Sequence, residues 1–238
     1  MNKTKIEYLD FTWNPIVGCT GEGCYVRDVC WARGQAKRRK HSCSLCYQFL
    51  PHYHFERFDQ PLKVKKPARI GVGFMGDLFD KNYSIIFNQK LFRIMEKAKQ
   101  HTFLILTKQP ENMLTFFSNW QNVPANVWVG VTVNKELDCY RIDQLRQIEA
   151  PILFVSFEPL QECILPNLKE IDWIIIGAQK RPNKQPKPNW VGHLVISARI
   201  FGAKVFLKNN LYPLPTTERY QEIPPSFQFA TTEKEEKK

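Results

Sequence analysis

The feature that most limits how this chain can fold is the rhythm of its sequence beyond Arg69. Short apolar runs there alternate with stretches of helical period. The runs are Arg69–Met75 (RIGVGFM), Thr102–Thr107 (TFLILT), Val127–Val133 (VWVGVTV), Ile152–Phe157 (ILFVSF), Trp173–Ile176 (WIII) and Lys204–Leu207 (KVFL). Between the first two, Ile85–Lys99 repeats apolar residues at the spacing of an amphipathic helix. Pro110 and Glu111 suit the first turn of a helix reaching about Trp120. Glu136–Ile148 and Trp190–Phe201 read as further helices. Strands that are apolar throughout need cover on both faces, and a parallel sheet flanked by helices provides it.

An irregular strand, Thr12–Val17 (TWNPIV), comes earlier, and Pro15 inside it argues for an edge or broken strand. That makes about seven strands of an α/β fold. An incomplete (β/α) TIM-like barrel is preferred to a doubly wound open sheet, because no G-x-G-x-x-G loop follows any strand. Residues 1–230 read as one barrel-like domain that includes a cysteine-rich insertion at 19–62. Within it Ala32–Arg39 has helix-forming composition and His41–Leu62 reads as loop. The final TTEKEEKK, residues 231–238, is charged and expected to be disordered.

Composition bounds the partners. Lys and Arg number 34 against 23 Asp and Glu, a formal net charge of +11. An excess of that size favours polyanions, DNA or RNA above all. Arg33, Lys37, Arg38, Arg39 and Lys40 form one basic cluster, and Lys63, Lys65, Lys66 and Arg69 another. No apolar run approaches the ~20 residues of a membrane helix, and the first ten residues carry no signal-peptide core. The expected setting is therefore a reducing cytoplasm, without membrane partners, where clustered cysteines serve as metal ligands or catalysts rather than disulfides.

Active sites of such folds lie at the C-terminal ends of the strands. The residues just past the apolar runs are Gly18 and Cys19; Met75, Gly76 and Asp77; Thr107 and Lys108; Thr132 and Asn134; Ser156, Glu158 and Pro159; Gly177, Ala178 and Gln179; and Lys208, Asn209 and Asn210. Asp77, Lys108, Glu158 and Lys208 put charge directly at apolar ends. Five of the seven cysteines, Cys19, Cys24, Cys30, Cys43 and Cys46, crowd the loop after the first strand. Three thiolates can hold an iron–sulfur cluster with one iron left open, whereas four close a structural zinc site. The thiols by themselves leave both open.

The stretch TWNPIVGC, followed by GC and CWARGQAKR, resembles an uncharacterised phage-associated three-cysteine family with a radical-SAM-like barrel. Further matches run in order along the chain: Glu56-Arg57-Phe58, Lys65-Lys66-Pro67, Met75-Gly76-Asp77-Leu78-Phe79, Leu106-Thr107-Lys108-Gln109-Pro110, Val155-Ser156-Phe157-Glu158-Pro159, Ile176-Gly177-Ala178-Gln179 and Phe206-Leu207-Lys208-Asn209-Asn210. The resemblance implies a [4Fe–4S] cluster on three cysteines, S-adenosylmethionine chelated by its open iron, and an external electron donor. It would place Gly76, Asp77, Ser156 and Gln179 at the cofactor, with Asp77 on the amino group, and Lys108, Glu158 and Lys208 at cofactor or substrate; the resemblance names no substrate, and the basic charge favours a nucleic-acid-derived or other anionic one.

The thiol spacing departs from the family. Radical-SAM cysteines run C-x3-C-x2-C, whereas Cys19, Cys24 and Cys30 run C-x4-C-x5-C. Three assignments compete. In the preferred one Cys19, Cys24 and Cys30 hold the cluster, and Cys43 and Cys46 form an accessory site with His41, His52 or His54. In another, Cys24, Cys30, Cys43 and Cys46 hold zinc. In the last, Cys43 and Cys46 join Cys19. A zinc-binding, non-catalytic nucleic-acid-binding protein is the alternative to an enzyme. Cys139 and Cys163 read as packing residues. His101 and His193 read as structural, with no partner legible in the sequence.

Overall fold

The computed structural model describes residues 1–38, 42–120, 122–214 and 218–225. The strands are β1 (Asn2–Lys3), β2 (Phe11–Trp13), β3 (Ile16–Val17), β4 (His52–Tyr53), β5 (Arg69–Val72), β6 (Thr102–Thr107), β7 (Val127–Thr132), β8 (Leu153–Phe157), β9 (Trp173–Ile176) and β10 (Lys204–Leu207). The helices are α1 (Trp31–Lys37), α2 (Ser44–Gln48), α3 (Ile85–Lys97), α4 (Pro110–Ser118), α5 (Tyr140–Leu145) and α6 (Pro188–Ile200). Eight strands form one sheet in the order β1-β2-β5-β6-β7-β8-β9-β10, and β3 pairs with β4 in a separate ribbon. Every neighbouring pair from β2 to β10 is parallel, while β1 runs antiparallel to β2. The order never reverses, so each new strand is laid beside the last, unlike a doubly wound sheet.

Side-chain alternation divides the sheet into two faces. Ile70, Val72, Phe103, Ile105, Val129, Val131, Val155, Ile174, Ile176, Val205 and Leu207 share a core with Leu91, Phe92 and Met95 of α3 and Leu194 and Ala198 of α6. The opposite face carries Leu104, Trp128, Phe154, Trp173, Ile175 and Phe206, packed with Tyr8 and Leu9 from the turn between β1 and β2. Tyr8 lies 5.4 Å from the Trp173 ring and 5.5 Å from Phe206, centroid to centroid. The two ends of the sheet therefore meet through side chains; among the described residues no strand ladder joins β10 to β1 or β2.

The aromatic face is tightly filled. A methyl group at Gly130 would stand 2.6 Å from the Phe154 ring. Gly130→Ala is expected to cost about 1–3 kcal/mol by overpacking, read as a lower urea midpoint at unchanged slope; an unaltered midpoint would mean the Phe154 ring moves aside freely.

Several sequence expectations need correction. The strand expected over Thr12–Val17 splits at Asn14-Pro15: β2 joins the main sheet, whereas β3 pairs with β4, since Pro15 has no amide to continue a ladder. Asn14 then accepts a bond from the Met75 amide at 3.0 Å, tying the break to the end of β5. The helix expected over Glu136–Ile148 is a 3-10 turn, Glu136–Asp138, followed by α5. Asp138 caps the 3-10 turn: its carboxylate accepts the amides of Asn134 and Lys135, just ahead of the turn, and pairs with buried Arg141 at 2.8 Å. The stretch expected as loop over His41–Leu62 contains α2, β4 and two 3-10 turns. Arg39, Lys40, His41 and the tail 231–238 lie outside the described residues. His101 and His193 do have partners: His101 Nε2 meets the Pro61 carbonyl at 3.1 Å, and His193 Nδ1 meets Cys163 Sγ at 3.4 Å.

Candidate metal centre

The ribbon β3–β4 and helix α2 build the centre. Cys43 caps α2, and its sulfur accepts the Cys46 amide at 3.4 Å. That amide, acting against burial, holds the Cys43 thiol below its usual value. One turn into the helix, Cys46 is buried. Phe49 ends α2 in a left-handed conformation, φ 58°, and reverses the chain into β4. Gly18, at φ +91°, lets this turn approach, since a Cβ there would lie 2.3 Å from the Leu50 carbonyl oxygen. Residues two apart on an extended chain point the same way, so His52 and His54 both face the two sulfurs. Tyr53 points oppositely, into a cluster with Phe55, Tyr83 and Phe87, and anchors the ribbon to α3.

The four ligand atoms lie within 4.8 Å of one another. Cys43 Sγ is 3.6 Å from His52 Nε2; Cys46 Sγ is 3.4 Å from His52 Nε2 and 3.2 Å from His54 Nε2; the two Nε2 atoms are 3.0 Å apart. A tetrahedral ion with Zn–S of about 2.3 Å and Zn–N of about 2.05 Å requires S···N edges of about 3.6 Å and an N···N edge of about 3.3 Å. The three S···N edges and the N···N edge match or fall short of those values by up to about 0.4 Å. Each imidazole also keeps its other nitrogen occupied: His52 Nδ1 meets the Leu50 carbonyl at 2.7 Å, and His54 Nδ1 meets Glu56 Oε1 at 2.8 Å. Those bonds fix the tautomer that turns Nε2 inward as a lone pair, the usual outer arrangement of a metal-bound histidine. Burial, aided by Arg57, lowers the His54 pKa and favours the neutral ring that a metal needs. The set can hold a metal ion, and its chemistry fits zinc.

Cys46 also joins Ala32 and Ala36 of α1, Val17 and Phe49 in a small apolar cluster against which Cys19, Cys30 and Cys43 pack. The centre and α1 are thus one unit. Cys30 caps α1, Cys24 lies in the preceding loop, and Cys19 follows Gly18. Burial, then the Asp77 carboxylate, pushes the Cys19 thiol up to about 11. Among the described residues, the group that gathers three or more ligand atoms is Cys43, Cys46, His52 and His54.

The strand-end residues form two separate constellations. Asp77 accepts from Thr107 Oγ1 at 2.6 Å, the Lys108 amide at 2.9 Å and the Phe79 amide at 3.1 Å, so its carboxylate ties the end of β5 to the end of β6. Gly76 bridges to Gly18 beside it. Further round the sheet, buried Lys208 donates to both oxygens of Glu158, at 2.6 and 2.8 Å, and Glu7 lies 3.8 Å from the same ammonium. Ser156 is buried on β8. Gln179 bonds the carbonyls of Arg181 and Pro182 within its own loop. Glu7 gave no signal in the sequence. Glu56 could have been suspected from its place two residues beyond His54.

Cys139 sits where thiolate chemistry is suppressed: burial, with Glu136 and Asp138, pushes it up to about 12. Native protein at pH 7.5 should leave Cys139 unlabelled by iodoacetamide while denatured protein labels it fully, as peptide mass mapping would read; equal labelling would refute the packing role.

Fold and site together define an α/β protein with a singly wound, mostly parallel sheet and a Cys2His2 set able to hold a metal. The family described as "Protein of unknown function (DUF5131)" matches residues 3–212, and the chain belongs to that family. No curated protein and no solved structure matches it. Among the described residues no helix is long and apolar enough to cross a membrane.

Proposed function

We propose that the protein is a zinc-stabilised nucleic-acid-binding protein of the cytoplasm, in which the metal centre holds a basic, aromatic-bearing helix in place. The observation that carries this reading is the gathering of the Cys43, Cys46, His52 and His54 ligand atoms within 4.8 Å of one another, with both imidazoles fixed from behind. Through Cys46 the centre shares its apolar cluster with α1. The outer side of that helix and its surroundings expose Trp31, Lys37, Arg38, Tyr25 and Tyr47. Cations track a phosphate backbone, and exposed rings stack on unpaired bases. The net charge of +11 supplies the long-range attraction.

Zinc is expected at one per chain. Single-stranded oligonucleotides should bind with an affinity that falls by about 0.7 log unit per phosphate contact for each log unit of salt. Fluorescence anisotropy across a salt series, with and without prior removal of zinc, tests this. Salt-insensitive binding, or none, would sink the nucleic-acid assignment.

An iron–sulfur enzyme of radical-SAM type, on an incomplete barrel, is the second reading. It draws on Cys19 and Cys30 packing against one apolar cluster. That reading expects anaerobically prepared protein to be brown, with absorbance near ~400 nm that disappears when Cys19, Cys24 or Cys30 is replaced by alanine. Colourless, zinc-only protein rejects it.

A further inference from the structure

Beside the metal centre, a cavity of about 420 Å³ opens between the loop after β3, α1 and the turn after α2. Its walls include Arg27, Arg33, Thr20, Gln48, Asn82 and Phe49, and no acidic side chain lines it. The Arg33 guanidinium lies over the Phe49 ring, 5.6 Å from its centroid, and its Nε is buried with no hydrogen-bond partner. Among the described residues neither Arg27 nor Arg33 has a carboxylate within ion-pair distance, whereas Arg141, Arg146 and Arg199 each do. The carboxylate bonded to the Thr20 and Asn82 walls is that of Asp80, which is saturated. It accepts the amide and hydroxyl of Thr20, both at 2.7 Å, and the amide and side-chain nitrogen of Asn82, at 3.1 and 2.9 Å. Asp80 thereby positions two polar walls of the cavity and offers no free oxygen to the arginines.

A buried guanidinium nitrogen without a partner is costly unless a ligand satisfies it. Two arginines supply two positive charges and planar donor forks suited to phosphate oxygens. A phosphodiester carries one negative charge, whereas a phosphomonoester carries about −1.5 to −2 at neutral pH. We propose that this cavity binds a phosphomonoester dianion, as carried by the terminus of a nucleic-acid strand or by a free nucleotide, with Arg27 and Arg33 on the phosphate. The strand-terminus form rests on the nucleic-acid reading above; the free-nucleotide form stands without it.

The test uses zinc-loaded full-length protein, a single-stranded ten-nucleotide oligomer carrying either a terminal phosphate or a hydroxyl, and a nucleoside 5′-monophosphate beside its nucleoside. Variants are Arg27→Gln, Arg33→Gln and the pair, with zinc content and circular dichroism as folding controls. A phosphorylated strand is expected to bind about tenfold or more tightly than its hydroxyl counterpart, and the double variant should erase that preference. If the monophosphate binds, its nucleoside does not and strands show no preference, the ligand is the free nucleotide. If strands bind equally with either end and the monophosphate fails to bind, the cavity proposal is overturned while the nucleic-acid reading stands. If no strand binds but the monophosphate does, the reverse holds. A preference that survives in the folded double variant also overturns the assignment to Arg27 and Arg33.

Discussion

Replacing Cys46 with serine should strip the bound metal and melt the α2–β4 segment while leaving the main sheet standing. Cys46 is both a ligand and a buried packing partner of Ala32, Ala36 and Phe49. Its loss removes a sulfur from the tetrahedron and a contact from the base of α1. Structural zinc contributes its binding free energy directly to folding. A local loss of about 3 kcal/mol or more is expected, lowering Tm by roughly 6–12 °C for a chain of this size. Zinc should fall from one per chain to background, and proteolysis should cut first within residues 43–58. His54→Ala should act alike, because it removes a ligand without touching the apolar cluster. Chelation of the wild-type protein should reproduce both. The main α/β core, built on Ile70, Phe103, Val129, Val155 and Ile174, should keep the far-ultraviolet signal of the sheet. Full zinc retention in both variants with an unmoved Tm would reject the centre.

Lys208→Met should be the most damaging single change at the strand ends. The ammonium is nearly buried and bonds both oxygens of Glu158, with Glu7 3.8 Å away. Without it two carboxylates face each other beside Tyr8 with no counter-charge. Removing one partner of a buried pair costs about 3–5 kcal/mol; Glu158 is partly open to solvent, so about 3 kcal/mol is expected. Glu158→Gln combined with Lys208→Met should recover much of the loss, since no unpaired charge then remains on that pair. Urea unfolding of the single and double variants measures this. A double variant no more stable than the single would show that packing, not charge, sets the loss.

The apolar runs of β5 to β10 were legible because a strand buried on both faces advertises itself through its own composition. The extent of α3 followed from periodicity, and the boundaries expected for α3 and α6 lie within two residues of the observed ones. The first strand and the helix after β7 were misread for a common reason. In each, one residue bonds differently from its neighbourhood: Pro15 lacks the amide that would continue a ladder, and Asp138 bonds back to the amides of Asn134 and Lys135 and caps a 3-10 turn ahead of α5.

The site divides similarly. Cys43-x2-Cys46 announces a ligand pair, because that spacing places both sulfurs on one helical turn. His52 and His54 were named, beside His41, as candidate partners of those sulfurs in an accessory site, but on a stretch read as loop rather than strand. The sequence by itself determined the strands β5 to β10, the charge and the inventory of ligands, all of which depend on residues close together along the chain. Only the tertiary structure decided which of five thiols have histidines opposite them, and that Lys208 closes on Glu158 fifty residues away. The decisive events are the left-handed turn at Phe49, which folds β4 back over α2, and the winding of the sheet, which brings the end of β10 within a side chain's reach of the end of β8 across β9. Both depend on packing between distant segments, and no local pattern of residue types encodes such packing.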